Sequence, residues 1–196
     1  SALLNRDGET WLVTQFECPV GGVYIAEISQ DESGKLSPVP GTLKFVDQSG
    51  EFGGWLHCAG SVTPWGTYLG GEEYEPDARR IGEAGAHGYD NDYYTAALTG
   101  YWKDDLGIST RANPYYYGWI TEVDIAGGEA SYTKRFAMGR FSHELGYVMP
   151  DGKTVYLTDD GTNSTLFMFV ADTAGDLSDG TLYAAVWEQT SSEGAG

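Results

Sequence analysis

One pattern restricts this chain more than any other: a strand that ends in acids, repeated. Gly66-Thr-Tyr-Leu-Gly-Gly-Glu-Glu73 and Lys153-Thr-Val-Tyr-Leu-Thr-Asp-Asp160 each read as a strand closing on two carboxylates. A second strand ending in Asp follows each of them, at 117–124 and 165–172, and then a third. The opening stretch reads the same way, with Trp11-Leu-Val-Thr-Gln-Phe-Glu17, then 22–28 and 43–46. A period of two marks strands with one face buried, and repeated units of such strands mark a β-propeller. The expected fold is therefore all-β, about three to four blades of a propeller. A closed ring takes at least about four blades, so residues 1–196 read as a single partial domain. The remaining blades would come from another chain or a longer precursor.

Strands are expected at 11–16, 22–28, 42–46, 55–60, 67–70, 117–125, 131–138, 154–158, 165–171 and 181–187. Turn signals separate them: Asp-Glu-Ser-Gly at 31–34, Pro-Asp-Gly-Lys at 150–153, Asp-Gly-Thr-Asn at 160–163, and Asp179-Gly180. Residues 74–114 break the pattern, being charged and Gly-rich, with room for one short helix at 91–102. A stretch of that length without strands reads as an insert or a functional loop. Ser1, with neither Met nor a signal peptide before it, reads as the start of a processed piece.

Acidic residues outnumber basic ones 29 to 11, a formal charge of −18. That excess argues against partners that need a basic face, nucleic acid and anionic membrane alike. No apolar run approaches the roughly 20 residues of a membrane helix. The acidity fits a secreted or periplasmic protein. Two cysteines, Cys18 and Cys58, are too few for a disulfide scaffold, and a bridge, buried thiols and metal ligation all stay open.

The densest group of chemistry-bearing residues is His57, Cys58, Glu72 and Glu73. A thiolate and carboxylates at adjacent strand ends are what a metal cage requires, sulfur favouring a transition metal and oxygen favouring calcium. The same residues also read as a buried structural Cys and a solvated Glu pair. In Gly139-Arg-Phe-Ser-His-Glu144 the His-Glu pair is half of a zinc-protease motif. Tyr147 stands where the second His belongs, so His143 reads as a structural hydrogen-bonding residue. Asp159-Asp160-Gly-Thr-Asn163 lacks the closing Glu of a calcium loop and serves equally as a turn. Asn163-Ser-Thr165 matches a glycosylation sequon. No nucleophile elbow, P-loop or dinucleotide fingerprint occurs. The aromatic run at 115–119, with Trp65 and Trp102, reads as packing between blades, sugar stacking being its other use.

These motifs together resemble the PhoX family of bacterial alkaline phosphatases. The resemblance is carried by Cys58-Ala-Gly, Thr63-Pro-Trp-Gly-Thr67, Glu72-Glu73, Tyr117-Gly-Trp119, Glu122-Val-Asp124, Gly139-Arg-Phe-Ser-His-Glu144, and Asp159-Asp160 with Leu166-Phe-Met-Phe-Val170. It implies an exported propeller phosphomonoesterase, acting on small phosphoesters at iron and calcium in the central channel. It implies Cys58 as an iron ligand and Glu73 and Glu144 as metal-binding catalytic residues, with Glu72, Glu122 and Asp160 as further metal ligands. Arg140 stands near enough to the His-Glu motif to be a phosphate contact, or else a surface cation. A non-catalytic propeller that binds calcium structurally is the alternative from a different class.

Overall fold

Three antiparallel meanders follow one another along the chain as three blades of a β-propeller. A computed structural model describes residues 1–79 and 92–188. In the first blade β1 (Ala2–Arg6), β2 (Glu9–Gln15), β3 (Val23–Gln30) and β4 (Leu36–Pro38) lie in sequence order, and the short β5 (Lys44–Phe45) also pairs with β3. The second orders β6 (His57–Val62), β7 (Tyr68–Glu72), β8 (Ile120–Ala126) and β9 (Glu129–Lys134). The third orders β10 (His143–Val148), β11 (Thr154–Asp159), β12 (Leu166–Thr173) and β13 (Asp176–Ala184). Part of the expected insert at 74–114, residues 80–91, lies outside the described residues, as does Asn91 of the expected helix. That helix is α1 (Asp92–Asp104). No helix among the described residues is long and apolar enough to cross a membrane.

Strand alternation builds one core on each face of the second blade. Tyr68, Val123, Ile125 and Tyr132 meet Leu4, Trp11, Val13 and Ile25 of the first blade. Leu69 and Ile120 meet Val155, Leu157 and Phe169 of the third. A third core gathers Trp55, Leu98, Trp102 and Tyr117 beneath α1. There Trp102 Nε1 donates to Tyr117 Oη at 2.7 Å, and that hydroxyl donates to Phe52 O at 2.8 Å. Tyr117 and Trp102 are thus packing residues, but beneath α1 and not between blades as the sequence reading expects, while Tyr115 is exposed. Arg6 straps the first blade to the second through Ile125 O (3.0 Å), Trp65 O (3.0 Å) and Asp124 Oδ1 (2.6 Å).

Several boundaries differ from the sequence expectation. The strand at 117–125 starts only at Ile120, because Pro114–Tyr116 makes a 3₁₀ turn and Gly118 sits at φ 92°. The strand at 131–138 ends at Lys134, before a second 3₁₀ turn at Phe136–Met138. Asp179-Gly180 lies inside β13, and Gly175 (φ 78°) makes the turn instead. Gly180 is required by crowding, since a Cβ there would lie 2.4 Å from Val170 O.

The tightest approach between blades falls on two neighbouring glycines of β7. A Cβ on Gly71 would lie 2.4 Å from His143 O and 2.6 Å from Glu144 O, while one on Gly70 would lie 2.2 Å from Gln15 Oε1. Gly71→Ala should therefore cost about 1–3 kcal/mol through overpacking. Gly100→Ala, in α1 with open space around it, should gain about 0.5–1 kcal/mol from helix propensity. Urea unfolding of the two variants checks both signs.

Candidate metal centre

The repeat that shaped the blades also gathers their acids. Glu73 and Asp160 stand one residue past the second strands of their blades, and each donates its backbone N–H to the residue that precedes the blade's first strand: Leu56 O at 3.2 Å and Ser142 O at 3.0 Å. Glu17 stands two residues beyond the end of β2, the second strand of the first blade. The first strands match as well. His57 pairs with Glu72 and His143 with Asp159, after which both registers slip and resume at Gly60 and Gly146. Cys58 and Glu144 sit in these two irregularities.

Ligand atoms of Glu17, Cys58 and Glu73 all lie within 4.8 Å of one another. Asp160 stands beside Glu73 and acts on its carboxyl, and the Tyr74 hydroxyl donates to Asp160 Oδ2. Glu144 is exposed and adds negative potential at the thiol. Burial, then the Glu73 hydrogen bond and the surrounding carboxylates, pushes the Cys58 thiol up to about 12. Burial, then the bond to Asp160, pushes Glu73 up to about 7. Tyr74 and Glu73 together hold Asp160 below the usual carboxylate range. Among the described residues none of these five side chains forms an ion pair. A thiol and carboxylates crowded together without a counter-charge suit bound cations.

Two expected ligands are committed elsewhere. Strand alternation turns Glu72 to the face opposite Glu73, where it is fully buried and its Oε1 lies 2.8 Å from Lys134 Nζ. Its Oε2 accepts from the backbone N–H groups of Gly118 (2.9 Å) and Trp119 (3.1 Å). Glu122 accepts from Trp65 Nε1 (3.0 Å) and Thr67 Oγ1 (2.5 Å) and pairs with Arg135 Nε at 2.7 Å. Both are buried ion-pair partners and do not join the cluster. Glu17 was not among the expected ligands, although its place at the end of the first repeat was the signal for it.

The remaining motifs are structural. Arg140 donates to Tyr117 O (2.7 Å), Pro76 O (2.6 Å) and Pro114 O (3.2 Å), so it braces a loop and is not poised for phosphate. His143 Nε2 donates to Gly139 O at 2.8 Å, and His57 Nε2 meets Gln48 Oε1 at 3.2 Å. Cys18 and Cys58 are free thiols.

The family model for alkaline phosphatase PhoX matches residues 41–196. Pseudomonas fluorescens PhoX, solved in complex with vanadate, a transition-state analogue, is similar in structure with a TM-score of 0.63 at 19% sequence identity. The match covers 93% of this chain and 44% of that one, so this chain spans less than half the length of the solved relative. No curated protein matches.

Two predictions follow from the charges. Glu72→Gln would leave Lys134 buried and unpaired, a loss of about 3–5 kcal/mol in denaturant unfolding. Burial lowers His57 to about 3 and His143 to about 4. Between those values and the ordinary 6.5 the unfolded chain binds protons that the folded chain refuses, so stability falls as pH drops through this window. Each histidine contributes up to about 1.4 kcal/mol per pH unit. Glu73 opposes them, because its raised value makes the folded state the better binder between 4.5 and about 7, and Glu72 and Asp159, also raised by burial, act in the same direction. Urea titrations from pH 7 to 4 should therefore show a shallower decline for His57→Gln and His143→Gln than for the parent.

Proposed function

The chain belongs to the PhoX family of alkaline phosphatases, and on that premise we propose that it supplies part of the metal centre of an exported phosphomonoesterase. One observation carries the reading: Glu17, Cys58 and Glu73 converge within 4.8 Å, and among the described residues none of them forms an ion pair. The donor set of thiol and carboxylates suits iron together with calcium, Cys58 being the iron ligand and Glu73, Glu144 and Asp160 contributing oxygen. Such cations supply the positive charge that a phosphate ester needs and the activation of an oxygen nucleophile. A net charge of −18 would otherwise repel that substrate. The vanadate bound by the Pseudomonas protein is a phosphate-like oxyanion, in keeping with the same substrate class.

The chain's own residues prepare the site. Tyr74 fixes Asp160 beside Glu73, and the Glu73 carboxyl lies within 4.8 Å of the Cys58 thiol. The protons held by Glu73 and Cys58 are the ones a cation would displace, so loading should release protons and strengthen as pH rises. A small phosphoester is the expected substrate, and a periplasmic or secreted address fits the acidity.

Metal analysis after loading with iron and calcium tests the reading. Both metals should be retained, and Cys58→Ser should lose the iron selectively. In the active protein Glu144→Gln should lower turnover of a generic phosphomonoester on the order of 100-fold. Turnover within about threefold of the parent would make Glu144 a structural residue. Calcium binding without iron or turnover would favour the non-catalytic scaffold.

A further inference from the structure

Trp11, Val13 and Gln15 alternate along one face of β2, the face packed on the second blade. The first two are core residues, whereas the third is a carboxamide that ends the row at the irregularity of β6. Its Nε2 donates to Cys58 O at 2.5 Å and to Ala59 O at 3.2 Å. Those carbonyls belong to the two residues that fall between the His57–Glu72 and Gly60–Gly70 pairs, where the register slips. Gly70 makes room for the contact, since a Cβ there would lie 2.2 Å from Gln15 Oε1, itself a buried atom. Glu17 follows on the same segment, with a carboxylate oxygen within 4.8 Å of the Cys58 sulfur. One short stretch of chain thus supplies a member of the cluster and grips the backbone of another. The irregularity of β10 is held differently: Ser61 Oγ donates to Gly146 O at 2.5 Å, two residues from Glu144, and Leu145 N donates to Thr158 Oγ1 at 3.0 Å.

We propose that Gln15 is the positioning residue of the cluster: its carboxamide fixes the Cys58 backbone, and through it the sulfur, at the spacing from Glu17 and Glu73 that a shared cation requires. The inference rests on the metal reading proposed above and adds a residue to it. Backbone in a bulge is released from the ladder, and a ligand on released backbone must be ordered each time a cation binds. Holding both carbonyls from the neighbouring blade does that ordering beforehand. An amide suits the task because its two N–H groups can serve two carbonyls at once. Lysine or arginine could donate to the same oxygens but would bring a positive charge to a site that is to bind one.

Two variants of the complete protein test the assignment. Gln15→Met keeps the length of the side chain and loses the donor; Gly70→Ala leaves Gln15 in place and crowds its oxygen. After loading with iron and calcium, both should bind iron on the order of 10–100-fold more weakly, the usual effect of removing a group that orients a metal ligand. Their thiolate-to-iron absorption band should shift or weaken, and calcium should be retained. In the metal-free protein iodoacetamide should modify Cys58 several-fold faster than in the parent, while Cys18, on the same segment as Gln15, keeps its rate. Should Gln15→Met lose the strand signal in circular dichroism, Gln15→Asn takes its place, because it keeps the amide and withdraws it from the carbonyls. A merely structural Gln15 would lower the urea midpoint and leave the iron affinity, the band and the ratio of the two alkylation rates at parental values, and that result overturns the proposal. Failure of the metal reading is a separate outcome: a parent that takes up no iron refutes that reading, and the positioning of Cys58 is then decided by the alkylation ratio, an unchanged ratio overturning it.

Discussion

Neighbouring residues of a strand look in opposite directions, and at the end of β7 that constraint governs both the packing and the site. Gly70 and Glu72 share one face with Tyr68, while Gly71 and Glu73 share the other with Leu69. The first face takes the Gln15 carboxamide against Gly70 and the Lys134 ion pair on Glu72. The second takes the His143 and Glu144 carbonyls against Gly71 and presents Glu73 to Cys58 and Asp160. Two glycines without side chains let both neighbours approach, and two acids of identical pattern receive opposite fates. One neutralises a buried lysine; the other faces a thiol and two carboxyl groups.

How much of this the sequence discloses depends on which interaction fixes each residue. The blades were legible because the period of two survives in β2, β11 and β12, where one face is buried. β10 was not, because its irregularity at Glu144 and Leu145 breaks the alternation, leaving only a His-Glu pair that looks like a motif. Cys58 and Glu73 were legible through their family resemblance and lie together. Glu72 and Glu122 were assigned to the metal with equal reason, since nothing local separates an acid bound for solvent from one bound for Lys134 or Arg135. Those partners lie 62 and 13 residues away in sequence, and only tertiary pairing selects them. Glu17 was legible in principle, from its place in the first repeat.

The electrostatics of the two acid populations differ in kind. Buried acids with partners, Glu72 and Glu122, hold blade to loop and strand to strand at the cost of desolvation that their partners offset. Among the described residues the cluster at Glu17, Cys58 and Glu73 has no such offset, and Glu73 and Cys58 keep their protons at pH values where they would ordinarily be ionised.

The matching irregularities at Cys58 and Glu144 carry a consequence for how such a site is varied. Each is framed by the same backbone device, a buried histidine before it and a glycine after it where pairing resumes. The side chain in the gap belongs to no ladder and to no core, so its chemistry is free of the fold's demands. A thiol occupies one gap and a carboxylate the other. The blade is in this sense a socket: the character of one side chain can change at a single position while the ladders that frame it stay as they are.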